Sequence, residues 1–270
     1  GTALIEYLTS APDISVVAMV RSSVDIVLNT NVEYRMGEIG GAGELSVFLD
    51  DIDVVVHTAG RAHIMNESSS DPVKEFRRVN TVGTLNLAKQ AAIVGVRRFI
   101  FISTIKVLGE KTEPDQAFRS DDAFNPQDPY SISKFEAEVG LNQIAEADGM
   151  EVVIIRPPLV YGQGVKGNFA SLLKLARLPI PLPFGSIENK RSLVSVANLA
   201  DLIGVCLDHP RARNQTFLVS DDDDMSTSVL FSRLAKAGGY KAYLFKFPLS
   251  ILNTSLRVVG KSSIYKRLCG

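Results

Sequence analysis

Tyr130 and Lys134 stand four residues apart in the stretch Asp128-Pro129-Tyr130-Ser131-Ile132-Ser133-Lys134. On a helix that spacing puts both side chains on one face. An ammonium beside a phenol favours the phenolate, so the tyrosine pKa is expected to fall from about 10. A tyrosine tuned in this way exchanges protons with an alcohol near neutral pH. Asp128 suits a helix cap and Pro129 a first helical position, so the sequence predicts a helix that starts where the pair needs one. Two hydroxyls, Ser103 and Thr104, close an apolar run at 99–102. Ligands in open α/β sheets bind beyond the carboxyl ends of strands, which makes either hydroxyl a candidate to face Tyr130 across a substrate. Coincidence is the bland reading of each feature alone; their combination carries the weight.

The elements that would position these groups follow from hydrophobic patterning. Short β-branched runs at 16–20, 54–57, 99–102 and 152–155, with a weaker one at 33–36, are continuous rather than alternating, as in parallel strands buried on both faces. Helices are predicted over 72–94, closed by Gly95, and over 130–147, closed near Gly149. This β-α-β-α rhythm indicates an α/β fold with a doubly wound parallel sheet. After Arg156 the texture changes. Pro157, Pro158, Gly162, Gly164 and Gly167 mark a loop, 178–185 is rich in proline, and helices at 198–207 and 226–238 flank an extended 216–219. Residues 221–224 read as a solvated acidic turn with Ser226 as a cap, and 248–259 as an amphipathic segment packed onto a small lobe.

Composition narrows the function classes. The chain has 270 residues, 46% hydrophobic and 22% charged, with formal net charge −1, which argues against a general nucleic-acid binder. Cys206 and Cys269 lack metal-ligand spacing and fit a reducing cytoplasm; His57, His63 and His209 form no metal cluster, so no metal site is expected. No apolar run approaches the roughly 18–20 residues of a membrane span.

Thr104, Tyr130 and Lys134, together with His57-Thr58-Ala59-Gly60, Val79-Asn80, Arg156-Pro-Pro-Leu-Val-Tyr-Gly162 and Arg191-Ser-Leu-Val-Ser-Val196, resemble the extended short-chain dehydrogenase/reductases of the NAD-dependent epimerase/dehydratase family. The resemblance spans essentially the whole chain and points to the UDP-glucose 4-epimerase-like proteins of bacterial surface-polysaccharide clusters. It implies a Rossmann-like dinucleotide-binding domain over 1–160, with 190–220 returning to it. A smaller substrate lobe would comprise 161–189 and 221–270. Tyr130 would be the acid/base at a sugar hydroxyl. Lys134 would bind the nicotinamide ribose and lower the tyrosine pKa. Thr104 would share a hydrogen bond with the reacting oxygen, with Ser103 ranked second. Gly1, Arg21, Glu38, Ile39, Thr58, Ala59, Gly60, Asn80 and Pro157 would line the cofactor site, which would hold NAD or NADP. Asn168 and Arg191 would contact the diphosphate of a UDP-sugar, where a guanidinium can clamp phosphate in bidentate fashion. Relatives suggest a homodimer through the 72–94 and 130–147 helices.

Three departures qualify the resemblance. Relatives open with a strand and a Gly-x-x-Gly-x-x-Gly turn. Gly1 fits the third glycine, so the first strand is expected to be missing, the carboxyl end to stop early, and this chain to be impaired relative to an intact parent. Arg21, followed by Ser22 and Ser23, occupies a position where NAD-preferring relatives carry an acid, and it suits a 2′-phosphate. Ile105-Lys106 follows Thr104 where 4,6-dehydratases have Asp-Glu, so dehydration is disfavoured. Three readings follow: a UDP-hexose 4-epimerase working through a transient 4-keto sugar, an NAD(P)H-dependent 4-ketoreductase of a UDP-4-keto-6-deoxy sugar, and a non-catalytic nucleotide-binding sensor or scaffold.

Overall fold

A computed structural model describes residues 1–22, 31–40, 43–62, 71–113, 116–164, 168–178, 180–258, 260, 265 and 268–269. His63 and Ser23 lie outside them. The chain divides into two compact units, Gly1–Pro158 with Val196–Val219, and Leu159–Ser195 with Ser220–Gly270.

In the first unit, β3 (Val54–His57), β4 (Arg98–Ile102), β5 (Glu151–Arg156) and β8 (Thr216–Leu218) form an all-parallel sheet in the order β3-β4-β5-β8. A separate parallel pair joins β1 (Val16–Val20) to β2 (Val32–Met36). Phe99, Ile100 and Phe101 are fully buried in β4 with Val152, Val153, Ile154 and Ile155 beside them in β5. This explains why these runs do not alternate in polarity. The α/β parallel-sheet architecture expected from the sequence is therefore present. β4 begins one residue earlier than its apolar run, at Arg98. Its buried guanidinium is neutralised by Glu151 at 2.6 Å, and it donates to the Cys206 carbonyl at 2.6 Å. A strand can thus include a buried cation when the next strand and a helix end supply its acceptors.

Two helical segments pack against the sheet through one apolar cluster. Helix α4 (Pro129–Asp148) starts with a reciprocal capping box: Asp128 Oδ1 accepts from Ser131 N at 2.7 Å, and Asp128 N donates to Ser131 Oγ at 3.1 Å. It ends at Gly149, whose φ of +73° is the left-handed conformation that favours glycine. Its inner face places Ala137, Leu141 and Ile144 against Phe99, Phe101, Val152 and Ile154.

The segment expected to be one helix over 72–94 is instead three pieces. α2 (Pro72–Arg77) and α3 (Thr84–Ile93) are separated by a π-helical stretch, Arg78–Gly83. Hydrophobic periodicity over this range does not register the wider turn, which turns Asn80 inward to 1% exposure. α1 (Thr2–Leu8) and α6 (Val196–Asp208) complete the unit, joined where Tyr7 Oη donates to Asp201 at 2.8 Å.

The second unit contains the short parallel pair β6 (Leu159–Tyr161) and β7 (Leu193–Ser195), with α5 (Asn168–Ala176), α7 (Thr227–Ala237) and α8 (Leu249–Val258). The first region read from its prolines and glycines as loop thus holds a strand, β6, and α5 occupies the stretch between the two predicted loops, to which no element was assigned. The acidic turn is more structured than its composition implies: Asp221 accepts from Tyr161 Oη at 2.7 Å and from Ser195 N at 3.0 Å.

Candidate active site

Helix α4 carries Tyr130 in its first turn and Lys134 one turn later. Lys134 Nζ donates to the Ile102 carbonyl at 2.8 Å, two residues before Thr104, and lies 4.3 Å from the centroid of the Phe101 ring. Thr104 is buried and caps the 3₁₀ turn Ile105–Val107, its Oγ1 accepting from Lys106 N at 3.3 Å. Pro157, the buried residue after β5, accepts from Ile105 N at 3.0 Å and holds the same turn from the other side.

The electrostatics differ from the expectation drawn from spacing. Burial, with the Asp128 carboxylate adding to it, pushes the Tyr130 phenol up to about 12 rather than down. Lys134 is only 4% exposed, and burial pulls its ammonium down to about 8 against the opposing pull of Glu138. The physical reason for the correction is geometric. Lys134 spends its charge on the Ile102 carbonyl and the Phe101 ring, while the Tyr130 ring packs edge-on against Phe76 at 6.2 Å. Sequence spacing predicts a shared face; it does not predict which acceptor the ammonium chooses.

Ser103 and Thr104, adjacent hydroxyls in the sequence, are directed to different partners. Ser103 Oγ donates to Glu138 Oε1, and Glu138 in turn is gripped by Arg156 Nη2 at 2.7 Å and Nε at 3.2 Å. Its proton is committed to a buried ion pair, which corrects its candidacy as a donor to a reacting oxygen. Sequence reasoning missed Glu138, yet a signal existed: it extends the Tyr130, Lys134 stripe by a further four residues.

The loop leaving β3 supplies a backbone-lined cradle. Thr58, Ala59 and Gly60 are exposed. A Cβ added at Gly60 would stand 3.3 Å from Asn80 Oδ1 and 3.5 Å from Lys134 Nζ, so only glycine leaves this space open beside the lysine. Asn80 accepts from Arg61 N at 2.7 Å and donates to Arg61 O at 3.0 Å and to Ser133 Oγ at 3.0 Å. His57 is buried, shares a hydrogen bond with Thr84 Oγ1 at 2.8 Å, and is held neutral, its pKa lowered to about 3 by burial and by Lys134. A backbone cradle bordered by a buried ammonium and an amide fits a dinucleotide, whose phosphates and ribose hydroxyls need close backbone approach and donors. Gly1 caps α1, and a Cβ there would lie 3.9 Å from Thr58 Oγ1. Arg21 is exposed directly after β1; Glu38 is exposed after β2, while Ile39 packs onto the core.

The two predicted substrate contacts belong to the second unit. Asn168 opens α5, and its side chain lies outside the described residues. Arg191 is half-buried and forms an antiparallel bridge with Met225 through 3.0 Å backbone bonds in both directions. Among the described residues no group of His, Cys, Asp and Glu could hold a metal, and no helix is long and apolar enough to cross a membrane.

The chain is 47% identical to a UDP-glucose 4-epimerase of Vibrio cholerae over an alignment covering 100% of this chain and 82% of that protein. In fold it is similar to a UDP-glucuronic acid 4-epimerase from Bacillus cereus solved with NAD (TM-score 0.76, 22% identity, 91% of this chain and 84% of that one). It is also similar to the Thermotoga maritima UDP-glucose 4-epimerase solved with UDP-glucose (TM-score 0.75, 22% identity, 92% and 82%). The profile described as the NAD dependent epimerase/dehydratase family matches residues 1–220. With that profile spanning both the Gly60 cradle and the Thr104, Tyr130 and Lys134 set, the chain belongs to the NAD dependent epimerase/dehydratase family.

Proposed function

We propose that the protein is a UDP-hexose 4-epimerase using NAD, with chemistry at the junction of β4 and α4. The observation that carries this reading is the Lys134–Ile102 bond, which ties the Tyr130/Lys134 face of α4 to the strand end bearing Thr104. Gly1, Arg21, Glu38, Ile39, Thr58, Ala59, Gly60, Asn80, Lys134 and Pro157 would hold the dinucleotide. When bound, its nicotinamide accepts and returns the hydride.

The protein's own residues move the proton. Tyr130 takes it from the sugar hydroxyl and later gives it back. Thr104 orients the reacting oxygen. Lys134, at about 8, is mostly protonated at neutral pH and would donate to the nicotinamide ribose. Asn168 and Arg191 would bind the diphosphate. Ser103 takes a structural part through Glu138. The Vibrio cholerae relative supports the epimerase over the ketoreductase. Exposed Val82, Ile93 and Val139 on the 78–83 stretch, α3 and α4 support homodimerisation through these helices, and free Cys206 and Cys269 support a cytoplasmic setting.

The test is incubation with UDP-glucose, UDP-N-acetylglucosamine and a UDP-4-keto-6-deoxy sugar. Epimer formed without net cofactor consumption supports the epimerase; stoichiometric NAD(P)H loss identifies the reductase. NAD and NADP affinities compared side by side read the role of Arg21. Tyr130→Phe is expected to abolish turnover while sparing cofactor binding; retained turnover removes Tyr130 from the mechanism, and silence of both proteins with intact NAD binding favours the sensor.

A further inference from the structure

Lys106 occupies a position that no part of the proposed chemistry uses, yet it is bonded at both ends to groups that matter. Its backbone N–H donates to Thr104 Oγ1 at 3.3 Å. Its ammonium bonds Asp128 Oδ2 and lies 2.8 Å from Glu110 Oε1. Asp128 uses its other oxygen to cap α4 two residues before Tyr130. A further strut runs parallel, Asn125 N donating to Val107 O at 2.9 Å. One side chain therefore links the turn that holds the Thr104 hydroxyl to the helix start that holds the Tyr130 phenol.

We propose that Lys106 is a positioning residue for the site: it fixes Thr104 against Tyr130 through Asp128 and cancels the Asp128 charge at the phenol. The proposal rests on the epimerase reading for its effect on turnover, but not for its effect on Tyr130 itself. Among the described residues the charged groups at this junction are Asp128, Lys106 and Glu110, with Lys134 one turn further along α4 and Arg61 over the Phe76 ring that packs on Tyr130. On the α2 side Arg77 is engaged by Glu136 at 2.5 Å, so it does not substitute for Lys106. Asp128 raises the pKa of Tyr130, and an Asp128 stripped of its cation raises it further. Lys106 and Asp128 are each about one-third exposed, which limits the effect through solvent screening.

The experiment uses Lys106→Met, which keeps the aliphatic stem, Lys106→Arg, which keeps the charge, and Asp128→Asn, which keeps a good cap. Tyrosine ¹³C NMR of the protein without sugar, with Tyr130 assigned from Tyr130→Phe, reports the pH at which the phenol begins to ionise. Ionisation is expected at higher pH in Lys106→Met, at lower pH in Asp128→Asn, and near wild type in Lys106→Arg. In the Asp128→Asn background, Lys106→Met should shift it no further. In turnover, Lys106→Met should lower kcat on the order of tenfold with KM little changed, the scale expected when a reacting group is misplaced by part of an ångström. An unmoved Tyr130 ionisation in Lys106→Met, or an equal shift in both backgrounds, overturns the proposal. Absence of turnover in wild type with these NMR shifts present would instead count against the epimerase reading alone.

Discussion

Arg156→Met removes the cation from the buried pair beneath the site. Arg156 and Glu138 side chains are 4% and 1% exposed, so water cannot take over when one partner goes. Arg156 contributes three bonds to Glu138, a 2.9 Å bond to the Ser120 carbonyl, and a guanidinium stacked 5.0 Å from the Phe124 ring. Removing it strands the Glu138 charge with Ser103 as its remaining partner. Breaking such a pair costs about 3–5 kcal/mol. With a urea slope of about 2–3 kcal/mol per molar for a domain of this size, the midpoint should fall by roughly 1–2.5 M. Deleting both ions, Arg156→Met with Glu138→Leu, removes the stranded charge and leaves only the Ser103 hydroxyl and Ser120 carbonyl to be re-satisfied, at about 1–3 kcal/mol each. The double variant should therefore lose about as much as one single variant, and less than their sum. Urea unfolding monitored by far-ultraviolet circular dichroism reads all three. A midpoint shift below about 0.5 M for Arg156→Met, or strict additivity in the double variant, would refute the claim that the pair acts as a closed buried unit.

Two more outcomes follow from the charges around Gly60. His57 is held at about 3 against an ordinary 6.5, so the unfolded chain binds the extra proton between those values and stability falls as pH drops from 6.5 toward 3. His57→Gln should flatten the acid side of a Tm-versus-pH curve between about pH 7 and about pH 4, by up to about 1.4 kcal/mol per unit; an unchanged slope contradicts it. Lys134 is likewise held below its unfolded value, so below about pH 8 its buried charge opposes folding. Lys134→Met relieves about 3 kcal/mol of that penalty and forfeits a hydrogen bond of about 1–3 kcal/mol. It should abolish turnover with Tm at or slightly above wild type, and a Tm drop of several degrees would show that Lys134 stabilises the fold.

Much of the scaffold was readable from the chain because its signals are local. Continuous apolar runs marked β1, β3, β4 and β5, and Asp128-Pro129 marked the start of α4. What escaped depends on partners distant in sequence. The π-helical stretch at 78–83 answers to Asn80 finding Arg61 and Ser133, contacts that periodicity within one helix cannot encode. β6 is a three-residue strand defined by β7, which lies more than thirty residues later. Spacing brought Tyr130 and Lys134 to one face, but the direction of the phenol's pKa turned on burial and on Asp128, neither visible in a four-residue interval. Spacing alone left Ser103 and Thr104 alike, resemblance ranked Thr104 first, and Glu138, which claims Ser103, supplies the physical reason.

The pair of hydrogen bonds between the Asn80 amide and the Arg61 main chain has an effect on ligand energetics. An amide that both donates to and accepts from one residue of the main chain imitates a neighbouring strand, although no strand is there. The segment just beyond Gly60 thereby surrenders its freedom at folding, at a cost of about 1–2 kcal/mol per ordered residue. A dinucleotide arriving later meets a surface that has already lost that entropy, so its contacts convert more fully into affinity. Asn80→Ala would shift that ordering cost to the moment of binding, weakening the dinucleotide by more than the loss of the amide's own contact.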